Sequence, residues 1–285
     1  MENTKYQELN TASEFDDFIT TVKLHSTQHS GFSTKCVHAG QDPEPIHGSV
    51  NVPIHLSSTY AQKAPTELYS KFDYSRCGNP TLDCLCQNIA ALEYGQYAQV
   101  FASGCGATAC IKCLLSTGDH IICCDDVYGG TNRQLNKILI PRFGIQADFI
   151  CMVSPQNVVE AIKPNTKLVW IETPTNPTLK VADIEAISKA VKEVNKEIII
   201  VVDNTFSSPY FQSPLLLGAD VSYNSMTKYM GGHSDVVAGC IATNSKDLYE
   251  RISFNCKSKL TSNFSPRYQP RSFRWFPATQ RSQDS

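Results

Sequence analysis

The sequence of 285 residues lacks both a strong net charge and a long apolar run. Its 25 Lys and Arg nearly balance its 27 Asp and Glu, which leaves a net charge of −2. A charge this small gives no general attraction to nucleic acid or to a membrane surface, so we expect neither partner. No apolar run reaches the roughly 20 residues that a membrane-spanning helix needs. We expect a globular protein, long enough for one large domain or two small ones.

Both ends of the chain are poor in apolar residues. Residues 1–30 contain five acidic residues and no apolar core, so we expect a polar arm rather than a secretory signal, and a cytoplasmic protein. Residues 261–285 contain no Val, Ile, Leu or Met, but five Ser, three Pro, four Arg and five aromatic residues. That composition predicts an irregular tail. A basic-aromatic patch for nucleic acid is the weaker interpretation, because four Arg are few.

Twelve cysteines invite a metal or disulfide interpretation. The closest groups are Cys84-x-Cys86, Cys110-x-x-Cys113 and Cys123-Cys124. A structural zinc site needs two well-separated pairs, or cysteines combined with histidines. The second group falls in an apparent helix, 107–115, and the third in an apolar run whose alternating faces separate neighbouring residues. We therefore expect no metal, and mostly reduced and buried cysteines.

Between residues 98 and 243, short apolar runs alternate with longer amphipathic segments. The runs are 98–102, 119–124, 147–151, 167–172, 198–202 and 219–222. In the segment 181–194, four apolar residues recur at helical spacing: Ile184, Ile187, Val191 and Val194. The pattern predicts an α/β fold with a mostly parallel central sheet flanked by helices. Ligands gather at the carboxyl ends of such strands, so we expect the chemistry in the loops that follow the runs.

Two segments carry residues suited to binding a phosphate. The first, Ser-Gly-Cys-Gly at 103–106, leads into a helix, where small residues let backbone amides approach an anion. An ordinary helix cap with turning glycines explains the same residues. The second, Tyr74-Ser-Arg76, supplies a phenol and a guanidinium.

Three further loops supply a nucleophile, a carboxylate and an aromatic ring. In Ser225-Met-Thr227-Lys228, a lysine beside two hydroxyls suits a lysine imine next to a phosphate. Asp203 ends an apolar run, where an acid needs a cationic partner such as a protonated pyridine nitrogen. Tyr128 precedes two glycines, so its ring can lie over a heteroaromatic ring. Each also has a structural explanation: a surface lysine, a helix-capping aspartate and a tyrosine that closes the core.

The loop Glu-Thr-Pro-Thr-Asn-Pro at 172–177 adds an amide, Asn176, between two prolines that either shape a site or rigidify a turn. Together, a lysine, a carboxylate, a stacking ring and several phosphate-binding loops define a pyridoxal phosphate site. Each structural explanation is plausible singly. Their coincidence in strand-end loops favours the cofactor.

The same motifs resemble those of the Cys/Met-metabolism pyridoxal-phosphate enzymes of fold type I, and within that family the cystathionine γ-lyase branch. The resemblance covers residues 31 to about 260. It is carried by HAGQDPE at 38–44, YSR at 74–76, DVYGGTNR at 126–133, ETPTNP at 172–177, VDNTF at 202–206 and TKYMGGHSD at 227–235. It implies an interface extension at 31–75 and a cofactor-binding large domain at 76–260, between the polar arm at 1–30 and the tail at 261–285 that the composition predicts.

The resemblance also implies a role for each matching residue. Lys228 binds the cofactor covalently and then moves protons between substrate carbons, and Tyr128 stacks on the cofactor ring as a second catalytic residue. Asp203 pairs with the pyridine nitrogen and Asn176 contacts the 3-oxygen. The phosphate is bound by the amides of Gly104 and Cys105, the hydroxyls of Ser225 and Thr227, and Tyr74 and Arg76 of a neighbouring subunit. Arg133 contacts the substrate.

A carbon–sulfur lyase is the implied activity. It would split L-cystathionine into L-cysteine, 2-oxobutanoate and ammonia, with hydrogen sulfide release from cysteine as a further expectation. A homo-oligomer is implied too, because the family forms dimer-based tetramers. Gly130, where methionine γ-lyases tend to carry a cysteine, favours cystathionine as substrate. Synthase and β-lyase activities use the same cofactor residues and stay open.

Two departures from the family pattern bear on this prediction. Cys105-Gly106 replaces the usual apolar residue and alanine, a small change because backbone groups hold the phosphate there. After about residue 260, the family's C-terminal domain of about 100 residues, which carries the arginine that grips the substrate carboxylate, has no counterpart. We interpret the tail as another reading frame, a retained intron or an alternative exon. An inactive chain, or a partner for a full-length subunit, is therefore the alternative.

Overall fold

The structure is a computed structural model that describes residues 31–259. The helices are α1 (Phe32–His38), α2 (Pro80–Leu92), α3 (Gly104–Lys112), α4 (Gly129–Gln134), α5 (Ile140–Phe143), α6 (Pro155–Glu160), α7 (Ile184–Val194), α8 (Ser208–Phe211) and α9 (Lys246–Lys259). A π-helical turn (Leu135–Leu139) joins α4 to α5, and a 3-10 turn (Pro214–Leu217) follows α8. The strands are β1 (Gln62–Ala64), β2 (Glu67–Leu68), β3 (Tyr97–Phe101), β4 (His120–Cys124), β5 (Gln146–Ile150), β6 (Thr166–Glu172), β7 (Ile199–Asp203), β8 (Val221–Asn224) and β9 (Gly239–Thr243).

The central sheet has seven strands in the order β3-β9-β8-β7-β6-β4-β5. Strand β9 runs antiparallel to both neighbours, and the other neighbouring pairs are parallel, which confirms the predicted α/β fold. The six predicted runs form β3 to β8, whereas β9 was not predicted. Because β9 is antiparallel to β3 and to β8, those two strands point the same way. The carboxyl ends of six strands therefore lie at one edge of the sheet.

Helix α7 shows how the amphipathic segments cover this sheet. It begins three residues later than the segment 181–194 suggests, because the Asp183 side chain accepts a hydrogen bond from the Ala186 amide (2.9 Å) and caps the helix. Ile187 and Val191 are fully buried, as predicted from their spacing. Val194 was predicted to share that face, but it is 53% exposed, because the helix ends at this residue.

Helix α2 covers the other end of the sheet and anchors the segment that precedes it. Its apolar residues pack with those of β3 and β9 in a second core cluster. The Asn88 amide of α2 donates to the carbonyl oxygens of Lys35 and Ala39 (3.0 Å each), which ties α1 to α2. Between α1 and α2 the chain is mostly exposed, and it includes large apolar side chains at Ile46 and Val50.

Some further expectations concern residue environments. Six of the twelve cysteines are buried, four are half-buried, and Cys77 and Cys105 are exposed. The helix expected at 107–115 is α3, which starts earlier and ends at Lys112. Of the helices within residues 31–259, none is both long and apolar enough to cross a bilayer. The polar arm 1–30 and the tail 261–285 lie outside the described residues, and the proposed domain boundaries stay predictions.

Replacing Ile187 by Ala should lower the free energy of unfolding by about 2–5 kcal/mol, because the truncation leaves a cavity under α7. Val194→Ala on the same helix is the matched control and should change it by no more than about 0.5 kcal/mol, because that side chain is largely in water. Urea unfolding followed by circular dichroism measures both. Equal losses in the two variants would contradict the packing of α7 described here.

Candidate cofactor site

The predicted site residues fall mainly at the carboxyl edge of the central sheet. Gly104 and Cys105 open α3 after β3, and Tyr128 precedes α4 after β4. Asn176 follows β6, Asp203 ends β7, and the segment 225–228 follows β8. Since these strand ends share one edge, the sheet brings together loops that are far apart in the chain, as predicted.

The first turn of α3 packs closely against Tyr223 of β8 and against Ser225, which follows β8. Ser103 caps the helix, its Oγ accepting a hydrogen bond from the Gly106 amide (3.0 Å). A Cβ on Gly104 would lie 2.5 Å from Oη of Tyr223 and 3.0 Å from Oγ of Ser225. Only glycine fits there. We call Gly104, Tyr223 and Ser225 the cradle. A helix start, a phenol and a hydroxyl meet there, and these groups suit a phosphate.

Tyr223 was not predicted as a site residue. It lies inside β8, is 4% exposed, and packs against the Trp170 ring with 5.6 Å between ring centroids. Burial raises the pKa of its phenol, and the neighbouring Asp203 acts in the same direction. From the sequence it was indistinguishable from a core aromatic residue, because an aromatic in a β-strand is normally buried by packing alone.

Two buried carboxylates lie beside the cradle. Glu172 and Asp203 are paired in register at the ends of β6 and β7, and each is 5% exposed. Burial raises the pKa of both carboxyls, and for Glu172 the nearby Asp203 adds to the effect. Hydrogen bonds from Thr205 lower the pKa of Asp203 again. Two adjacent buried acids favour a cationic group between or above them.

Glu172 also positions two of the predicted ring contacts. Its Oε2 accepts a hydrogen bond from the Tyr128 amide (2.8 Å), and its Oε1 accepts one from the Asn176 amide (2.9 Å). Asp126 joins the same two loops, because its carboxylate accepts from the Thr175 hydroxyl (2.6 Å). Glu172 was part of a predicted motif but had no predicted role. The structure shows that one side chain holds the backbones that carry the ring and the amide.

The loop that carries Lys228 is connected to Asp203 through Thr205, by hydrogen bonds from backbone amides. The Thr205 amide donates to Oδ1 of Asp203 (3.1 Å), and the Thr205 hydroxyl accepts from the Ser225 amide (2.8 Å). The Ser225 carbonyl in turn accepts from the Lys228 amide (3.1 Å). The side chain of Lys228 is exposed. The loop therefore offers an accessible amine at a position fixed relative to the buried acid.

Thr227 uses its hydroxyl within the fold. It donates to the carbonyl oxygen of Ala238 (3.2 Å) and accepts from the Ala238 amide (3.1 Å), which joins the lysine loop to the start of β9. Ser225, in contrast, presents its hydroxyl to the cradle. Thr227 as a phosphate ligand stays a prediction, and in this conformation the hydroxyl is already engaged.

Tyr128 and Cys105 line the open side of the site. Tyr128 is 45% exposed, and its ring lies over Gly130, where a Cβ would come within 2.5 Å of Cε1 of Tyr128 and 3.2 Å of Sγ of Cys105. A larger residue at position 130 would displace the ring. Arg133 lies on α4, which follows directly, and its side chain is exposed.

Tyr74 and Arg76 lie apart from these loops, in the exposed segment before α2. The Arg76 guanidinium is 5.2 Å from the centroid of the Tyr74 ring. Among residues 31–259, no hydrogen bond or ion pair joins either side chain to the strand-end loops. The same range contains no group of three or more His, Cys, Asp or Glu side chains arranged to hold a metal ion.

Comparison with known proteins identifies relatives of this chain. The sequence pattern of the family described as "Cys/Met metabolism PLP-dependent enzyme" matches residues 33–268, which extends beyond residue 260. Human "Cystathionine gamma-lyase" is 52% identical over 224 residues, which cover 78% of this chain and 55% of the human protein. "Probable cystathionine gamma-synthase" of Herpetosiphon aurantiacus is 51% identical over 224 residues, or 79% of this chain and 69% of that protein.

A solved structure shows the same likeness in three dimensions. The cystathionine gamma-lyase of Lactobacillus plantarum, in complex with L-serine, superposes with a TM-score of 0.80 at 38% sequence identity. The superposition covers 84% of this chain and 61% of the Lactobacillus chain. The chain thus spans little more than half the length of the two lyases that it matches.

The cradle makes a steric prediction. Gly104→Ala should lower the free energy of unfolding by about 1–3 kcal/mol, because the new methyl group meets Tyr223 and Ser225. Gly106→Ala in the same helical turn is the control. Its Cβ would come no closer than 3.3 Å to Ser103, so it should leave stability unchanged or raise it by about 0.5–1 kcal/mol. Urea unfolding measures both, and a tolerated Gly104→Ala would contradict the close approach.

Proposed function

The chain belongs to the family of Cys/Met-metabolism PLP-dependent enzymes, and from that membership we propose that it binds pyridoxal 5′-phosphate on Lys228 and acts as a carbon–sulfur lyase on cystathionine. One observation carries the cofactor part of the proposal. An exposed lysine is tied by hydrogen bonds to a buried acid, beside a glycine-walled cradle. The acid suits a pyridine nitrogen and the cradle suits a phosphate, so the residues present fit this cofactor.

We assign the binding roles as follows. Asp203 would accept a hydrogen bond from the protonated pyridine nitrogen, and the Asn176 amide would donate to the ring oxygen. The ring of Tyr128 would cover one face, held there by Glu172. The phosphate would be bound by the amides of Gly104 and Cys105 and by the hydroxyls of Ser225 and Thr227. In the last case the hydroxyl would have to exchange its bond to the Ala238 carbonyl for the phosphate.

When bound, the cofactor supplies an electron sink for a carbanion on the amino-acid substrate. The chain supplies the proton transfers. Nζ of Lys228 would remove the proton at the substrate α-carbon and return a proton at a neighbouring carbon, which requires the neutral amine. Tyr128 is exposed, and its Oη would protonate the departing sulfur. Arg133, exposed on α4, would face the substrate.

The substrate assignment is supported by the names of the relatives and by Gly130. The human and Lactobacillus relatives are named cystathionine gamma-lyases. We therefore propose α,γ-elimination of L-cystathionine, with uptake of one water, to L-cysteine, 2-oxobutanoate and ammonia, with hydrogen sulfide release from cysteine as a side activity. The Herpetosiphon relative is named a synthase, and synthase and β-lyase chemistry would use the same cofactor residues. Glycine at position 130 leaves the Tyr128 ring in place, whereas the cysteine of methionine γ-lyases would crowd it.

Cofactor binding without turnover is the second candidate function. It is favoured by the distribution of the predicted residues, because most of those for the cofactor lie in strand-end loops, whereas Arg133 is the one residue predicted to bind the substrate without binding the cofactor. Such a chain would act through assembly with a catalytically complete subunit. Measuring 2-oxobutanoate from cystathionine on the cofactor-loaded chain distinguishes the two functions.

Lys228→Ala should abolish covalent attachment of the cofactor, because the other candidate ligands bind it only non-covalently. Loading the chain with pyridoxal 5′-phosphate, reducing with borohydride and mapping the mass increase by peptide mass spectrometry places the attachment. Lys246→Ala, at a surface ion pair with Glu250 on α9, is the control and should be labelled like the wild type. Label retained in Lys228→Ala, or no visible absorbance in the loaded wild type, would refute the assignment.

We also propose that the working site is shared between two copies of the chain. The segment before α2 exposes large apolar side chains that one chain leaves in water, including Ile54 (52%) and Leu56 (61%). In the same segment, Tyr74 and Arg76 have no bond to the strand-end loops among residues 31–259. A second copy would cover the apolar residues and receive the phenol and the guanidinium at its phosphate.

A mixing experiment tests the shared site. Arg76→Ala should weaken cofactor binding, and Lys228→Ala should abolish attachment. A refolded equal mixture of the two variants should regain about a quarter of the wild-type sites, because half of the dimers pair one Lys228 with the Arg76 of the other chain. Counting borohydride-fixed cofactor per chain measures this. No recovery in a mixture shown to be dimeric by sedimentation would place Arg76 outside the neighbouring site.

A further inference from the structure

Lys112 is a lysine enclosed in the core of the protein. It is the last residue of α3 and is 1% exposed. Burial lowers the pKa of its amine to about 8, against 10.5 for an ordinary lysine. Among residues 31–259 no ion pair joins it to a carboxylate within 4.0 Å. A buried ammonium without a direct counter-ion reduces stability, so its presence calls for an explanation.

The ammonium has two direct contacts. Its Nζ donates to Oε1 of Gln134 (2.9 Å) and lies 4.9 Å from the centroid of the Trp170 ring. The ring contact is a cation–π interaction, which favours the charged form of the amine. Gln134 ends α4, the helix that begins next to Tyr128. Lys112 therefore joins the far end of α3 to α4 and to β6 of the sheet.

Gln134 passes this connection on to the phosphate-binding turn. Its Nε2 donates to the carbonyl oxygen of Cys105 (2.8 Å), and its Oε1 also accepts from the Thr108 hydroxyl (2.9 Å). The Thr108 hydroxyl lies 3.0 Å from the same Cys105 carbonyl. A network of three side chains thus runs from the ammonium to the backbone of Cys105. The ammonium polarises the Gln134 amide, which strengthens the bond that the amide donates.

The charge of Lys112 also acts on the acid of the site. The titratable groups that interact with the amine are Cys123 of β4, Cys105 of α3 and Asp203 of β7. Of these, Asp203 is the one that is anionic at neutral pH in an unfolded chain, and the interaction lowers its pKa against the effect of burial. The ammonium therefore favours the ionised carboxylate that a pyridinium nitrogen needs.

We propose that Lys112 is a positioning residue for the cofactor: through Gln134 it holds the Cys105 backbone in the phosphate-binding turn, and its positive charge attracts the Asp203 carboxylate. The inference rests on the proposed cofactor function. It predicts a residue that improves binding at a cost in stability. A lysine that merely fills space would, when removed, weaken folding and binding together.

Lys112→Met provides the test, because methionine is unbranched and similar in length but carries no charge. The dissociation constant of pyridoxal 5′-phosphate, titrated by visible absorbance at pH 7, should rise about tenfold. The free energy of unfolding of the cofactor-free variant should be equal to or above that of the wild type. The sign follows from the lowered pKa: the buried ammonium opposes folding below about pH 8, and that effect fades as the pH rises from 8 towards 10.5.

Lys192→Met is the matched control. Lys192 lies in the last turn of α7, its side chain is 29% exposed, and it pairs with Asp220 (2.7 Å). Asp220 directly precedes β8, so the pair lies at the amino edge of the sheet, opposite the site. Its loss should lower stability and leave the dissociation constant unchanged, the reverse of the effect of Lys112→Met. Between pH 7 and 9.5, the dissociation constants of the wild type and of Lys112→Met should approach each other, because Lys112 loses its proton in this range. The titratable groups that interact with the amine, Cys123, Cys105 and Asp203, are present in both chains, which differ only in the charge at position 112.

Gln134→Glu tests the relay in case Lys112→Met does not fold. It keeps an acceptor for Lys112 and removes the donor to the Cys105 carbonyl, so the dissociation constant should also rise. An unchanged constant in both variants, or in Gln134→Glu when Lys112→Met does not fold, would overturn the inference while leaving the proposed function intact. A parallel loss of stability and affinity in Lys112→Met, with a pH-independent ratio of its dissociation constant to that of the wild type, would overturn it as well. Absence of cofactor binding by the wild-type chain would refute the proposed function, and this inference with it.

Discussion

The site depends on the burial of two acids, Glu172 and Asp203, side by side at the ends of neighbouring strands. Burying two carboxylates in register at the ends of neighbouring strands is unfavourable unless hydrogen-bond donors or cations compensate them. Glu172 accepts hydrogen bonds from the amides of Tyr128 and Asn176. Asp203 accepts one from the Thr205 amide and is attracted at longer range by the charge of Lys112. These hydrogen bonds hold the loops that carry Tyr128, Asn176 and Thr205 against the two acids.

The strands were largely predictable, because most of the six runs are apolar enough to be buried on both faces and helical segments separate them. Strand β9 was missed for a physical reason. Its residues, Gly-Cys-Ile-Ala-Thr, are mostly small, because Gly239 lies against the backbone of Ser103 and Gly104, where a Cβ would come within 2.6 Å. A strand that packs against a helix start carries little of the bulky pattern from which strands are recognised.

The site divides in the same way. The positions of Lys228, Asp203 and Tyr128 in strand-end loops were predictable, because each follows an apolar run or ends one, and as site residues they stay predictions. Tyr223 and Lys112 were not, since one lies within a strand and the other within a helix, and only the packed sheet shows where their polar ends point. The bond between the Thr227 hydroxyl and Ala238 was equally hidden, because it joins residues whose proximity depends on the path of the chain into β9.

These buried charges connect binding to folding. Asp203, Glu172 and Lys112 each have a pKa displaced in the direction that burial imposes, so each opposes the cofactor-free fold while it is charged. A cationic ring nitrogen placed on Asp203 would remove part of that cost, and a phosphate in the cradle would use helix-end amides that the fold itself leaves unpaired. A ligand that binds only the folded chain stabilises it by mass action. The same burial of charged groups that opposes folding of the cofactor-free chain therefore favours binding of the cofactor.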